Sequence, residues 1–173
     1  MNLADNDFVV FGLPERFAID RAELDARRRQ LQGHAHPDRF AAEGEAAKRV
    51  AMQWSVRINE AYARLRDPLA RAAYLCALRG AAVDAERNTA MPAAFLMQQM
   101  HWREALDDAA DDVSALQSLD DEVDQVERQT LHEVAVLLDD DGAPAAAAAR
   151  VRALMFIGKF RRDLAERLEA ITG

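Results

Sequence analysis

The chain has 173 residues (19.3 kDa); half are hydrophobic but only 6% aromatic, and the formal net charge is −8 at pH 7. Alanine supplies much of the apolar content and there are only 7 glycines and 5 prolines, which favours helix over sheet, and no run of 18 apolar residues is present to cross a membrane. A single cysteine, Cys76, excludes an intramolecular disulfide and any cysteine-cluster zinc or iron–sulfur site held by this chain alone.

The first predicted element is a short helix over 7–12, with Asn6 or Asp7 as N-cap, Phe8 and Phe11 on one face, and Gly12 and Pro14 as its stop. Asp20 and Glu23 form a capping-box pattern that opens a second helix, from Arg21 to about His34. Leu24 and Leu31 share a face of it, with Arg28 between them where a core residue is expected. Pro37 then turns the chain out of helix, so His36–Pro37–Asp38 is a loop.

A third helix is predicted from about Ala41 to Arg66. Its stripe is Ala47, Val50, Trp54, Ile58, Ala61 or Tyr62, and Leu65, and Asp67–Pro68 ends it. A fourth, from about Leu69 to Leu78, stops at Gly80. Residues 80–91 lack periodicity and read as a linker.

Three amphipathic segments follow. One starts at Pro92 and runs to about Asp112. The next covers 114–138, with Leu116, Leu119, Val123, Val126, Thr130, Val134 and Leu137 as its stripe, and stops at Asp139–Asp140–Asp141–Gly142. The last starts near Pro144 and carries Val151, Leu154, Ile157, Phe160 or Arg161, Leu164, Leu168 and Ile171. With short turns, these make an antiparallel three-helix bundle, and the fold class is all-α.

Charge divides the chain: residues 1–80 carry a net +2 and residues 81–173 a net −10. Two modules with different partners are expected, and the acidic one is a poor match for nucleic acid. The first residues, with Asp5 and Asp7, lack the basic and apolar regions of a secretory signal, so a cytoplasmic protein is expected.

His34, His36 and Asp38 offer two imidazoles and a carboxylate, but no further ligand lies near them in sequence, so no metal site and no catalytic pair is assigned. Asp139–Asp140–Asp141–Gly142 lacks the alternating ligands and distant glutamate of a calcium loop. Cys76, among apolar neighbours, reads as a small core residue. With no cofactor loop and no nucleophile–base arrangement, an enzyme is not expected. Phe95, Leu96, Met97 and Met100 exceed what one buried stripe needs, because three consecutive residues already span about 200° of a helix. Met155 and Phe156 widen the last stripe in the same way. Surplus apolar surface with flexible methionines suits a partner site.

His36–Pro37–Asp38–Arg39–Phe40 between two helices, followed by Ile58–Asn59–Glu60–Ala61–Tyr62–Ala63–Arg64–Leu65 and Asp67–Pro68, resembles a J-domain. Phe8–Val9–Val10–Phe11–Gly12–Leu13–Pro14, Arg71–Ala72–Ala73–Tyr74–Leu75 and Phe95–Leu96–Met97–Gln98–Gln99–Met100 narrow the likeness to the HscB family of J-domain co-chaperones in iron–sulfur cluster assembly. The resemblance implies a J-domain over 1–79, a linker over 80–91 and a three-helix scaffold-binding domain over 92–173. It implies two partners: a DnaK-type chaperone (HscA) whose ATPase is stimulated, and an IscU-type cluster scaffold.

Carried over residue by residue, it places Arg27, Arg28, Arg29, His36, Pro37 and Asp38 at the chaperone. It places Leu96, Met97, Met100, Glu104, Asp108 and Phe156 at the scaffold. Neither set does bond chemistry, and no cofactor is implied. The competing reading is a general helical adaptor in which H-P-D is only a turn.

Three departures from the family pattern stand in the first module: Ala35 where an aromatic usually precedes H-P-D, Arg28 at a usual core position, and Arg39 in place of lysine. The first two remove core contacts, so a looser loop is expected. In the second, His101 replaces a usual glutamate, so a weaker or pH-dependent acidic site is expected. The lack of an N-terminal cysteine-based metal module favours a bacterial-type member.

Overall fold

The computed structural model describes residues 2–40 and 42–173, and every regular element among them is helical. The chain divides into two compact units, Met1–Leu75 and Cys76–Gly173. The expected all-α architecture is borne out.

In the first unit, α1 (Asp7–Phe11) is capped by Asn6, whose side chain accepts from the Val9 N–H at 3.0 Å. Gly12, at φ +64°, closes the helix in the left-handed conformation that glycine adopts without a Cβ penalty. Asp7 is fully buried rather than capping. Its carboxylate meets Arg57 at 2.7 Å and Arg64 at 3.0 Å, and its N–H donates to the Tyr74 hydroxyl. A buried carboxylate is tolerable only with such partners, and these tie α1 to the long helix that carries Arg57 and Arg64. Arg71 does comparable work, donating to the carbonyls of Phe17 and Leu65.

The hairpin consists of α2 (Arg21–Ala35) and α3 (Glu45–Arg66). Asp20 caps α2 by accepting from Ala22 and Glu23, whereas the Glu23 side chain reaches forward to Arg27. Pro37–Phe40 is one 3₁₀ turn. The predicted start of α3 at Ala41 lies outside the described residues, and the helix itself begins at Glu45, after Gly44 at φ +95°.

Leu24, Ala51, Ile58, Ala61, Tyr62 and Leu65 are buried between the helices. The expected stripe fails toward the H-P-D end: Val50 is 52% exposed, and Leu31, Ala47 and Trp54 are half-buried. Opposite them, α2 offers Ala35 and His34, and neither supplies the apolar bulk that would cover a valine and an indole. Arg28 turns in over the Tyr62 ring, its Cζ 4.1 Å from the centroid, so that a cation–π contact offsets part of the cost of its burial. The fourth helix, α4 (Pro68–Leu78), takes Pro68 as its first residue, one earlier than expected.

A pH dependence follows from the hairpin. The Tyr62 hydroxyl donates to Asp25 at 2.7 Å, with Arg21 alongside, and this holds the Asp25 carboxyl below its ordinary value. The carboxylate form is therefore favoured in the folded state. Its contribution is complete above the unfolded-state value of about 3.9 and is lost as pH falls through the lower folded value. Tyr62→Phe keeps the ring under Arg28 but removes the donor. Carboxyl NMR titration is expected to show the Asp25 pKa rising toward its ordinary value; an unchanged pKa would show that this hydrogen bond does not form in solution.

The second unit holds α5 (Ala93–Ala109), α6 (Val113–Ala135) and α7 (Pro144–Thr172). Pro92 stands just before α5, in extended conformation, rather than at its first helical position. Asp112 caps α6 by accepting from Ala115. Leu116, Leu119, Val123, Val134, Val151, Leu154, Ile157, Phe160 and Leu164 form the core with Trp102 and Phe95 of α5.

The predicted helix over 114–138 instead ends at Ala135 in a wide π turn, Val136–Asp140, in which Asp141 N–H reaches back to Val136. The wider turn shifts the frame by one residue, so Leu138 is buried in place of Leu137. Arg161 of α7 bridges Asp120, Asp124 and Glu127 of α6 at 2.6–3.1 Å. Residues 80–91 contain no helix, yet they are held: buried Arg152 donates to the carbonyls of Ala90 at 2.6 Å and Val83 at 2.9 Å. Cys76 is fully buried, and burial pushes its thiol pKa up.

Candidate functional site

In the first unit the H-P-D residues stand at the tip of the hairpin. The Asp38 side chain is 91% exposed, with its carboxylate 3.6 Å from His36 Nδ1. His36 Nδ1 also accepts the Asp38 N–H at 3.3 Å, so the imidazole closes the turn on itself. Pro37 opens the 3₁₀ turn with φ preset by its ring.

The three arginines on α2 do not share one face, because consecutive residues are about 100° apart. Arg27 pairs with Glu23 at 3.4 Å, Arg28 is turned in on Tyr62, and Arg29 is exposed. Among the described residues no group of three His, Cys, Asp or Glu side chains is placed to hold a metal ion.

Beneath the loop lies a cleft of about 440 Å³ lined by Leu31, Ala35, Phe40, Val50, Trp54 and Ile58, among others. The small Ala35 is one of the residues that leave it open. Polar contacts bridge around it: the Ser55 hydroxyl donates to the Ala35 carbonyl at 3.1 Å, and Arg39 Nη1 donates to the Gly33 carbonyl at 2.6 Å. Sequence reading passes over Ser55. Its only signal is its place three residues before Ile58, on the side of α3 that faces α2.

In the second unit, Leu96 (47% exposed), Met97 (74%) and Met100 (65%) reach out of α5 toward solvent. Glu104 and Asp108 continue along the helix, both exposed. Phe156 differs. It is half-buried in an aromatic cluster, edge-on to Phe95 at 5.8 Å and stacked on Phe160 at 6.2 Å, with Arg103 over its ring. Its ring is thus shared with the core rather than freely presented.

His101 is mostly exposed, with Nε2 3.7 Å from Glu122 of α6. The same Glu122 oxygen accepts from Trp102 Nε1 and Gln98 Nε2, each at 3.0 Å. Sequence reading missed Glu122, since no local pattern marks an acceptor that serves a neighbouring helix.

The fold and these two surfaces define a J-domain joined to a three-helix bundle. A family model described as the HSCB C-terminal oligomerisation domain matches residues 91–165. The co-chaperone protein HscB homolog of Burkholderia multivorans is 51% identical over 173 residues, spanning 99% of this chain and 98% of its own length. That of Ralstonia nicotianae is 52% identical over 174 residues, 99% of each.

Among solved structures, the chaperone HscB from Vibrio cholerae matches with a TM-score of 0.77 at 33% identity, over 96% of this chain and 99% of that one. The human co-chaperone protein HscB matches with a TM-score of 0.80 over 95% and 83%; at 24% identity this likeness carries the fold alone. The chain belongs to the HscB family of co-chaperones.

Proposed function

We propose that the protein binds an IscU-type iron–sulfur scaffold, brings it to a DnaK-type chaperone of the HscA kind and stimulates that chaperone's ATPase. The observation that carries this reading is the exposed H-P-D turn at the tip of a helical hairpin, in a chain that belongs to a co-chaperone family. Residues 1–79 engage the chaperone. His36, Pro37 and Asp38 present the loop, and Arg27 and Arg29 add positive charge on α2, which speeds encounter with an acidic surface and fixes register; Arg28, expected among them, is turned in on Tyr62 and supports the helix instead.

Residues 92–173 engage the scaffold through Leu96, Met97, Met100, Glu104, Asp108 and Phe156, and residues 80–91 join the two parts. The protein is not itself an enzyme: the chaperone hydrolyses the ATP, and no step needs a cofactor on this chain. The reading places it in the cytoplasm; no described helix is long and apolar enough to cross a membrane.

Steady-state ATP hydrolysis by a purified DnaK-type chaperone, with and without this protein and a scaffold, tests the reading. Stimulation that rises further with scaffold supports it. A chaperone rate unchanged by the protein, with scaffold still bound, would leave a helical adaptor without ATPase stimulation.

A further inference from the structure

We infer that Ser55, with Arg39, is a positioning residue for the H-P-D loop: polar anchors on the last carbonyls of α2 hold the loop over a cleft that apolar packing leaves empty. The inference rests on the co-chaperone reading above. The last turn of any helix leaves its carbonyls without intrahelical donors. Here the Ala35 carbonyl, immediately before His36, accepts from the Ser55 hydroxyl at 3.1 Å. The Gly33 carbonyl accepts from Arg39 Nη1 at 2.6 Å, so a residue just beyond the loop reaches back across it. Both bonds straddle His36–Pro37–Asp38.

The 3₁₀ turn rests against α3, but apolar packing beneath it is incomplete. The Ala35 methyl and the half-buried Phe40, Leu31 and Trp54 line a cleft of about 440 Å³, and Val50 on the facing helix is 52% exposed. The loop's own bonds, Asp38 N–H to His36 Nδ1 and Arg39 N–H to the His36 carbonyl, fix the turn internally but not its direction relative to the hairpin. To the contacts that the 3₁₀ turn makes with α3, Ser55 and Arg39 add directional polar anchors. Without the Ser55 hydroxyl the loop samples more orientations, and the cost of ordering it falls on each encounter with the chaperone.

The test uses the full chain in the chaperone ATPase assay, with the co-chaperone concentration varied. Ser55→Ala is expected to raise the half-stimulating concentration about tenfold, the scale of one lost hydrogen bond. Maximal stimulation and scaffold affinity should stay unchanged. Amide hydrogen exchange should quicken at His34 and Ala35, in the last turn of α2 that the Ser55 hydroxyl anchors, and not in mid-hairpin, a local signature that general destabilisation does not produce. Ala35→Leu, which places apolar bulk in the cleft, is expected to restore the half-stimulating concentration in the Ser55→Ala background.

An unchanged half-stimulating concentration in Ser55→Ala, with Asp38→Asn inactive, overturns the positioning role and leaves the co-chaperone reading standing. Exchange that quickens throughout the hairpin also overturns it, since Ser55 is then only a stability residue. Full stimulation by Asp38→Asn removes the co-chaperone reading and this inference with it.

Discussion

Asp38→Asn is expected to abolish stimulation of a DnaK-type chaperone's ATPase while leaving the fold and scaffold binding as they are. The side chain is 91% exposed, so the substitution costs the fold little. Asparagine keeps the volume but replaces one acceptor oxygen with a donor and removes the charge. A hydrogen bond to a charged group contributes about 1.5–3 kcal/mol, so losing it weakens the chaperone contact by roughly ten- to more than a hundredfold. A donor facing a donor adds to that loss.

His36→Gln is expected to act in the same direction, because the imidazole receives the Asp38 N–H that closes the turn. The measurement is stimulated turnover against co-chaperone concentration, with scaffold affinity by calorimetry as the control. Normal stimulation by both variants would sink the assignment of the loop to the chaperone.

The second large effect is expected on the bundle. Truncating Leu96, Met97 and Met100 together to alanine should weaken scaffold binding by at least about a hundredfold, near 2.7 kcal/mol. Full burial of one such side chain is worth roughly 1.5–3 kcal/mol, and the ordering of side chains on association offsets part of the sum. All three are exposed in the free protein, so the melting temperature should fall little.

Phe156 is left out of this variant deliberately. Its ring is shared with Phe95 and Phe160, and opening an aromatic site in a core costs up to about 3–5 kcal/mol of stability, which would confound the binding result. A folded triple variant that binds scaffold normally would place the contact elsewhere on the bundle.

The helix boundaries read from a chemical signal were legible in the sequence: Asn6 and Asp20 cap as their side chains dictate, and Gly12 stops α1, whereas Asp112, expected near the end of α5, instead caps α6. Periodicity named the buried faces of α6 and α7 as far as Val134 and Leu164, with Val126 the exception, since it is only half-buried. It could not say whether the opposing helix has the volume to cover a face, so Val50 was placed in the core and is exposed. Nor does any residue type announce a π turn, which is why Leu138 displaced Leu137.

The surplus apolar residues of α5 were readable because too many sat together for one stripe. The double role of Phe156 was not, since a ring at the edge of a stripe packs inward or outward according to neighbours on another helix. Long-range polar anchors such as Arg152 on Val83 and Ala90, or Ser55 on Ala35, join residues far apart in sequence and leave no local trace.

The buried thiol of Cys76 makes the protein its own stability gauge. A thiolate is the form that alkylating reagents attack, and burial both shields this sulfur and disfavours its ionisation. A maleimide or iodoacetamide probe therefore has one target in the whole chain, and meets it only when the surrounding helices open. Labelling kinetics, followed by mass alone, would report the opening rate of that region without an engineered tag. Run with scaffold present, the same clock would read how far binding slows the opening.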